Sequence, residues 1–469
     1  MNRRQFLEAL GIASLGLAFG PPTGRAAKSK PLRRPNILLL FPDQWRRQAL
    51  GCYGDPVVRT PNLDRLGREG VIFDRCYTTN PVCTPARASL LTGRYPHQTG
   101  LIRNNLRLPA QEVTLAECLR QAGYVTGYIG KWHLDGEAKP GFVPPGERRQ
   151  GFDYFEGFNR GHWYHNARYF TNDGTLVRPE VFESFYQTDL ALRFMERHRD
   201  RPFFLFLAWG PPHMPYRPPK EFDRFRPEDL QWRSNVPEEM RRDPRTIREL
   251  CGYYGLCETL DHEVGRLLKF LEEQGLAENT LVLFTADHGD CHGSHGLRYK
   301  GHPVEESLGI PLLLRWPEGI PAGRRSKTLI ALIDLMPSLL SLCGLPVPEE
   351  VGGCDLSAAL QGEEVAVEAL YTEGRMQHLR VVPPGRGGVT GARYGAWRAV
   401  VTPRYKLAVD FTGRVRLLTD LQEDPYELHN LADRPEHAAL QQDLLALLRE
   451  WGRKSGDPFP KPVSPASGA

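Results

Sequence analysis

The sequence predicts an α/β protein: a large, mostly parallel sheet flanked by helices, then a smaller C-terminal antiparallel sheet with one covering helix. Short apolar runs without polar alternation recur along the first two-thirds of the chain, as strands buried on both faces require. Helical patterns with start and stop signals lie between them. From about residue 367 the pattern changes to short strands joined by turns such as FTGR.

The runs NILLLF (36–41), VTGYIG (125–130), FFLFLAW (203–209) and TLVLFTA (280–286) each read as a strand, and PLLLRW (311–316) as one more. Between them, TPNLDRLGREG (60–70) carries a Thr cap, Pro at the first helical position and a terminal Gly. TLAECLRQAG (114–123) is punctuated similarly, and residues 246–275 form a long amphipathic pattern. Near the C-terminus, ALYTEG, WRAVVTP, YKLAVDF and VRLLTDL read as strands and HAALQQDLLALLREWG (437–452) as the covering helix. The expected domains are therefore a main one at 34–366, a smaller α+β one at 367–454, and a flexible tail at 455–469.

Composition narrows the function. With 469 residues, 41% of them hydrophobic and 25% charged, the chain is neither disordered nor fibrous. A net charge of +4 without a long Lys/Arg run gives no argument for nucleic acid as a partner. Arg3 and Arg4 precede an apolar stretch from Phe6 to Phe19, and small residues follow near Ala26 and Ala27. This reads as a twin-arginine export signal over residues 1–27, with a periplasmic destination expected. No run is long enough for a stable membrane span. Nine cysteines in no framework spacing read mostly as small core residues.

The polar residues that follow the strands are more telling. Asp43 and Gln44 follow the first run, Lys131 and His133 the second, His213 the third, and Asp287 and His288 the fourth. Ligands of open α/β sheets bind at the carboxyl ends of strands, so these groups are expected to share one site. Carboxylate and amide oxygens favour Ca²⁺ or Mg²⁺, while an imidazole moves the preference toward Mn²⁺ or Zn²⁺. Lys131, His133 and His213 are donors suited to a tetrahedral anion beside a metal.

NPVCTPARASLLTGR (80–94) adds a cysteine of a different kind. Cys83 can be a buried thiol, a nucleophile, a metal ligand or a precursor. Pro85 can open the helix ARASLLTG, which sets residue 83 at a helix N-terminus, where an anion is favoured. Arg87, four residues on, can point back to the same spot.

The run C-T-P-A-R followed by S-L-L-T-G-R resembles the signature of the type I sulfatases, of the alkaline phosphatase-like superfamily. RPNILLLFPDQ, GRYPHQTG, GYVTGYIGKWHL, PPHMPY, FTADHGD and LTDLQEDPYELHNLAD also resemble family blocks, in the expected order, from about residue 34 to about 435. The resemblance implies that Cys83 is oxidised to formylglycine by a separate maturation enzyme, and that one hydroxyl of the hydrated aldehyde attacks sulfur while the other releases sulfate. It implies one divalent metal, Ca²⁺ with Mg²⁺ or Mn²⁺ as alternatives, held by Asp43, Gln44, residue 83, Asp287 and His288. Many members have Asp at the Gln44 position and Asn at the His288 position, so this chain carries less negative charge there. Arg87 would stabilise the hydrate, Lys131 and Lys300 would bind sulfate oxygens, His133 would assist proton removal, and His213 would protonate the leaving alcohol.

The aromatic segment FEGFNRGHWYHN (155–166) suits a sugar ring, so a sulfated saccharide is the expected substrate. Two other readings are a phosphonate or phosphate monoester hydrolase of the same fold, and a non-catalytic carbohydrate-binding scaffold.

Overall fold

The four apolar runs with polar ends become adjacent strands. In a computed structural model describing residues 34–374 and 396–457, the main sheet has ten strands. The export-signal segment lies outside the described residues. The strands that position the site are β1 (Asn36–Leu40), β2 (Val125–Lys131), β3 (Tyr154–Phe158), β4 (Phe203–Ala208), β5 (Thr280–Thr285) and β6 (Leu312–Arg315). Their order across the sheet is β6-β5-β1-β4-β2-β3. From β5 to β3 every pairing is parallel, with Leu38 opposite both Leu205 and Val282, and β6 runs antiparallel to β5. All residues of β1, β4 and β5 are buried, which explains their unbroken apolar character.

Helices cover both faces of the sheet. They include α1 (Pro61–Arg68), α2 (Cys83–Thr92), α3 (Leu115–Gln121), α4 (Glu183–His198) and the long α5 (Pro244–Glu273). The caps differ from the sequence reading in two places. Thr60 stands at the N-cap of α1, but its hydroxyl accepts from Gly51 N and donates to the Asp64 side chain rather than capping a backbone N–H of the first turn. Helix α2 begins at Cys83, so Pro85 lies within the first turn, where a missing N–H leaves no intrahelical bond unmade. By contrast, Thr114 and Glu117 form a capping box on α3.

The C-terminal sheet is antiparallel, in sequential order β7 (Leu370–Gly374), β8 (Trp397–Val401), β9 (Tyr405–Asp410) and β10 (Val415–Asp420). Helix α6 (Ala438–Ser455) covers it through Leu444, Leu445 and Leu448. The sheet supports the main domain. Thr372 Oγ1 donates to the carbonyls of Thr78 and Thr79, just before Cys83, and Trp397 Nε1 donates to Gly301 O, just after Lys300. The tail does not come free at residue 455. Ser455 is still helical, and the buried Asp457 pairs with the buried Arg398 and accepts from Tyr371.

Candidate active site

Each parallel strand ends at one rim of the sheet, and the site is built there. Asp43 and Gln44 leave β1, Lys131 ends β2, His213 follows β4, and Asp287 and His288 follow β5. Helix α2 brings Cys83 in as its first residue, with Thr84 holding it in place. The Thr84 hydroxyl donates to His133 O at 2.7 Å and its amide donates to Asn104 Oδ1 at 3.0 Å.

The Cys83 sulfur is the centre of the cluster. Sγ lies 3.3 Å from His288 Nε2, 3.7 Å from Asp43 Oδ1, 3.6 Å from Lys131 Nζ and 3.3 Å from Lys300 Nζ. Lys131 also donates to Asp43 Oδ2 at 2.5 Å. Arg87, fully buried, bridges Asp43 Oδ2 at 3.1 Å and Asp287 Oδ2 at 3.2 Å, and donates to Lys131 O at 2.9 Å.

That bonding leaves one set of acceptors facing each other. His288 Nδ1 donates to Gly289 O, so its Nε2 presents a lone pair to Asp43 Oδ1 at 3.9 Å and Asp287 Oδ1 at 3.5 Å. The ligand atoms of Asp43, Cys83, Asp287 and His288 all lie within 4.8 Å of one another, and all four residues are buried. Two carboxylates and an imidazole lone pair turned inward, away from water, fit a divalent cation. Gln44 adjoins them, with its amide N donating to Asp287 Oδ1 at 2.8 Å and its side-chain Oε1 accepting from Lys300 at 2.7 Å.

The electrostatics favour negative charge at residue 83. Burial and Asp43 push the Cys83 thiol up, but the Lys131 and Lys300 charges outweigh them and hold it well below its usual range. Burial also raises Asp43, yet Lys131, Lys300 and Arg87 keep it well below the usual carboxylate range. Burial and the Asp43 charge raise Asp287. Two further histidines stay neutral. Burial, with Lys131 and Arg87, lowers His133, and burial, with Lys300, lowers His213 to about 3.

The expected residues do not all touch. Asp43, Cys83, Arg87, Lys131, Asp287, His288 and Lys300 form one connected network with Gln44 on its flank. The His133 ring donates from Nε2 to Asn105 Oδ1 at 3.0 Å, which leaves Nδ1 as an acceptor, and no hydrogen bond joins it to Cys83 among the described residues. His213 donates from Nδ1 to Met214 O at 2.8 Å, which leaves Nε2 for chemistry. Its ring stacks on His162, with centroids 3.8 Å apart.

His162 was not singled out in the sequence, yet it enters the site. Its Nδ1 donates to the Tyr164 hydroxyl at 3.1 Å, and its Nε2 lone pair lies 3.3 Å from Lys131 Nζ. The strand-end rule would have found it, because it follows β3. Glu156 and Gly157 interrupt the apolar pattern of that strand. Gly157 is required there, since a Cβ would stand 2.1 Å from Gly130 O on β2.

Residues 35–345 match the sulfatase family, and residues 293–454 match the C-terminal region of N-sulphoglucosamine sulphohydrolase. This chain belongs to the sulfatase family. It is an enzyme that hydrolyses sulfate esters. This sulfatase is 37% identical to an ulvan-active sulfatase of Formosa agariphila, over 91% of this chain and 82% of that one. It is 30% identical to an endo-4-O-sulfatase of Bacteroides thetaiotaomicron, over 89% of this chain and 91% of that one. A solved structure in complex with its substrate D-glucosamine-2-N,6-O-disulfate superposes with a TM-score of 0.79 at 25% identity, covering 91% of this sulfatase and 99% of that chain.

Proposed function

We propose that this sulfatase removes sulfate from sulfated carbohydrate, using formylglycine made from Cys83 and one divalent cation, Ca²⁺, held by Asp43, Gln44, residue 83, Asp287 and His288. The observation that carries the reading is the convergence of Asp43 Oδ1, Asp287 Oδ1 and His288 Nε2 on the Cys83 sulfur, between Lys131 and Lys300. The relatives' sulfated-carbohydrate substrates support the substrate class. The Arg3–Arg4 signal supports export to the periplasm, where such material is met.

The cation would lower the pKa of an oxygen at residue 83 and offset charge on the sulfate. The hydrated aldehyde would supply two hydroxyls on one carbon, one to attack sulfur and one to lose its proton so that sulfate departs, which a thiol cannot do. Lys131 and Lys300 flank residue 83 and take the non-bridging sulfate oxygens. Arg87 locks Asp43 and Asp287, so their second oxygens stay directed inward. His213 holds its Nδ1 proton on Met214 O and passes a proton through Nε2 to the leaving alcohol. Its low affinity for that proton comes from burial and Lys300, so an anionic ester seated on Lys300 raises it when the proton is needed. His133, with its Nδ1 free of protein donors, receives the proton of the second hydroxyl.

The test is mass spectrometry of the tryptic peptide CYTTNPVCTPAR (76–87) from protein co-produced with a formylglycine-generating enzyme. An aldehyde at position 83, placed by fragmentation and hydrazide capture, is the expected result. Unmodified cysteine under those conditions overturns the reading. Cys83→Ala is expected to abolish turnover with the fold intact, and retained activity excludes residue 83 as the nucleophile.

A further inference from the structure

Gln44 is the one proposed metal ligand with two unlike ends. Its carbonyl oxygen can bind a cation, whereas its NH₂ would repel one. Something must hold the amide the right way round, and the structure identifies it. Gln44 Nε2 donates to Asp290 Oδ2 at 2.5 Å and to the Tyr216 hydroxyl at 3.0 Å. Tyr216 itself donates to the same Asp290 oxygen at 2.5 Å, and the other oxygen accepts from His292 N at 3.0 Å. Asp290 is only 1% exposed, so water does not compete.

A carboxylate accepts and cannot donate, so only the NH₂ end of Gln44 can face it. The carbonyl end is thereby turned to Lys300, whose Nζ also reaches the Cys83 sulfur at 3.3 Å. The backbone is committed as well. Gln44 adopts φ +69°, a region non-glycine residues seldom occupy, and its amide and carbonyl are tied to Asp287 and Tyr253.

We infer that Asp290 is a positioning residue that fixes the Gln44 amide with its oxygen toward the metal, and that it is not itself a ligand. The inference rests on the ligand role proposed above for Gln44. An amide at 290 would have one acceptor for three donors. With its oxygen kept on the His292 N–H, that amide turns its NH₂ to Gln44, and the Gln44 amide turns over and presents its own NH₂ to the cation.

The test is calorimetric titration of the full chain, stripped with chelator, with Ca²⁺ alone. Gln44→Ala weakens binding by about tenfold or more if Gln44 is a ligand, and Asp290→Asn weakens it by about 10–100-fold, as loss of a ligand's orienting partner does. Asp290→Ser, small enough to admit a water, is the second variant should Asp290→Asn fail to fold, and the same loss is expected. In the Gln44→Glu background the sign changes. Residue 44 then has no amide to orient, and Asp290→Asn gives it a donor in place of a second carboxylate, so this substitution leaves Ca²⁺ binding equal or tighter.

Equal losses in both backgrounds would mean that Asp290 is merely structural, which overturns the inference. So would an Asp290→Asn affinity within about threefold of the parent while Gln44→Ala binds weakly. If Gln44→Ala binds Ca²⁺ as the parent does, the ligand assignment itself fails, and the inference falls with it.

Discussion

Replacing Arg87 with lysine keeps the positive charge and removes the geometry. The guanidinium makes three hydrogen bonds, to Asp43 Oδ2, Asp287 Oδ2 and Lys131 O, from a site that is 1% exposed. A lysine ammonium is a point donor on a different stem and reaches one of the three. Each charge-assisted bond lost is worth about 1.5–3 kcal/mol, so losing two costs about 3–6 kcal/mol. Unfolding entropy near 2.1 cal/mol/K per residue amounts to about 1 kcal/mol/K for 469 residues, so Tm should fall by about 3–6 °C. The assay is thermal unfolding of the cysteine form in chelator, so that neither maturation nor a bound cation enters the comparison. High salt should not rescue the variant, because the pairs are buried. A fall of less than about 1 °C would refute the claim that one guanidinium holds both carboxylates.

Two other outcomes concern the surroundings of the site. Glu183, the first residue of α4, is buried, and that burial pushes its carboxyl up to about 8. The folded form therefore binds a proton that the unfolded form releases near pH 4.5, so stability falls as pH rises from about 4.5 to about 8 and levels off above. Glu183→Gln removes this loss, and its Tm advantage over the parent should be larger at pH 8.5 than at pH 5; an equal difference at both would exclude the titration. Truncation after Lys454 removes Asp457, the carboxylate that pairs with buried Arg398, and leaves Glu373 at 3.6 Å from that guanidinium. Breaking such a buried pair should cost about 3 kcal/mol and open the β7–β8 edge to hydrogen exchange. Unchanged stability and protection would mean that the tail is free from residue 455.

The sequence by itself determined the fold class and most of the site's inventory, for a local reason. Strands buried on both faces must be continuously apolar, so the polar group at each strand end stands out without knowledge of its neighbours. Asp43, Lys131, His213 and Asp287 were legible in this way. Cys83 was legible because Pro85 and Arg87 travel with it in one short helix. That Asp457 pairs with Arg398 was not legible, because a Pro/Ser/Gly composition says nothing about a partner 59 residues away; residues 458–469 of the expected tail lie outside the described residues.

Only the tertiary structure decided which ends of those groups face one another. Gln44 and Asp290 are 246 residues apart in sequence, and Gln44 and Tyr216 are 172 apart. The orientation of the Gln44 amide exists only once β1, β5 and the segment after β4 are side by side. The same holds for His162, whose place against His213 and Lys131 depends on Gly157 letting β3 close onto β2. Residue types and spacing specify which donors and acceptors are available. Their directions are set by packing, because a hydrogen bond or a metal ligand acts along a line that no single segment of chain contains.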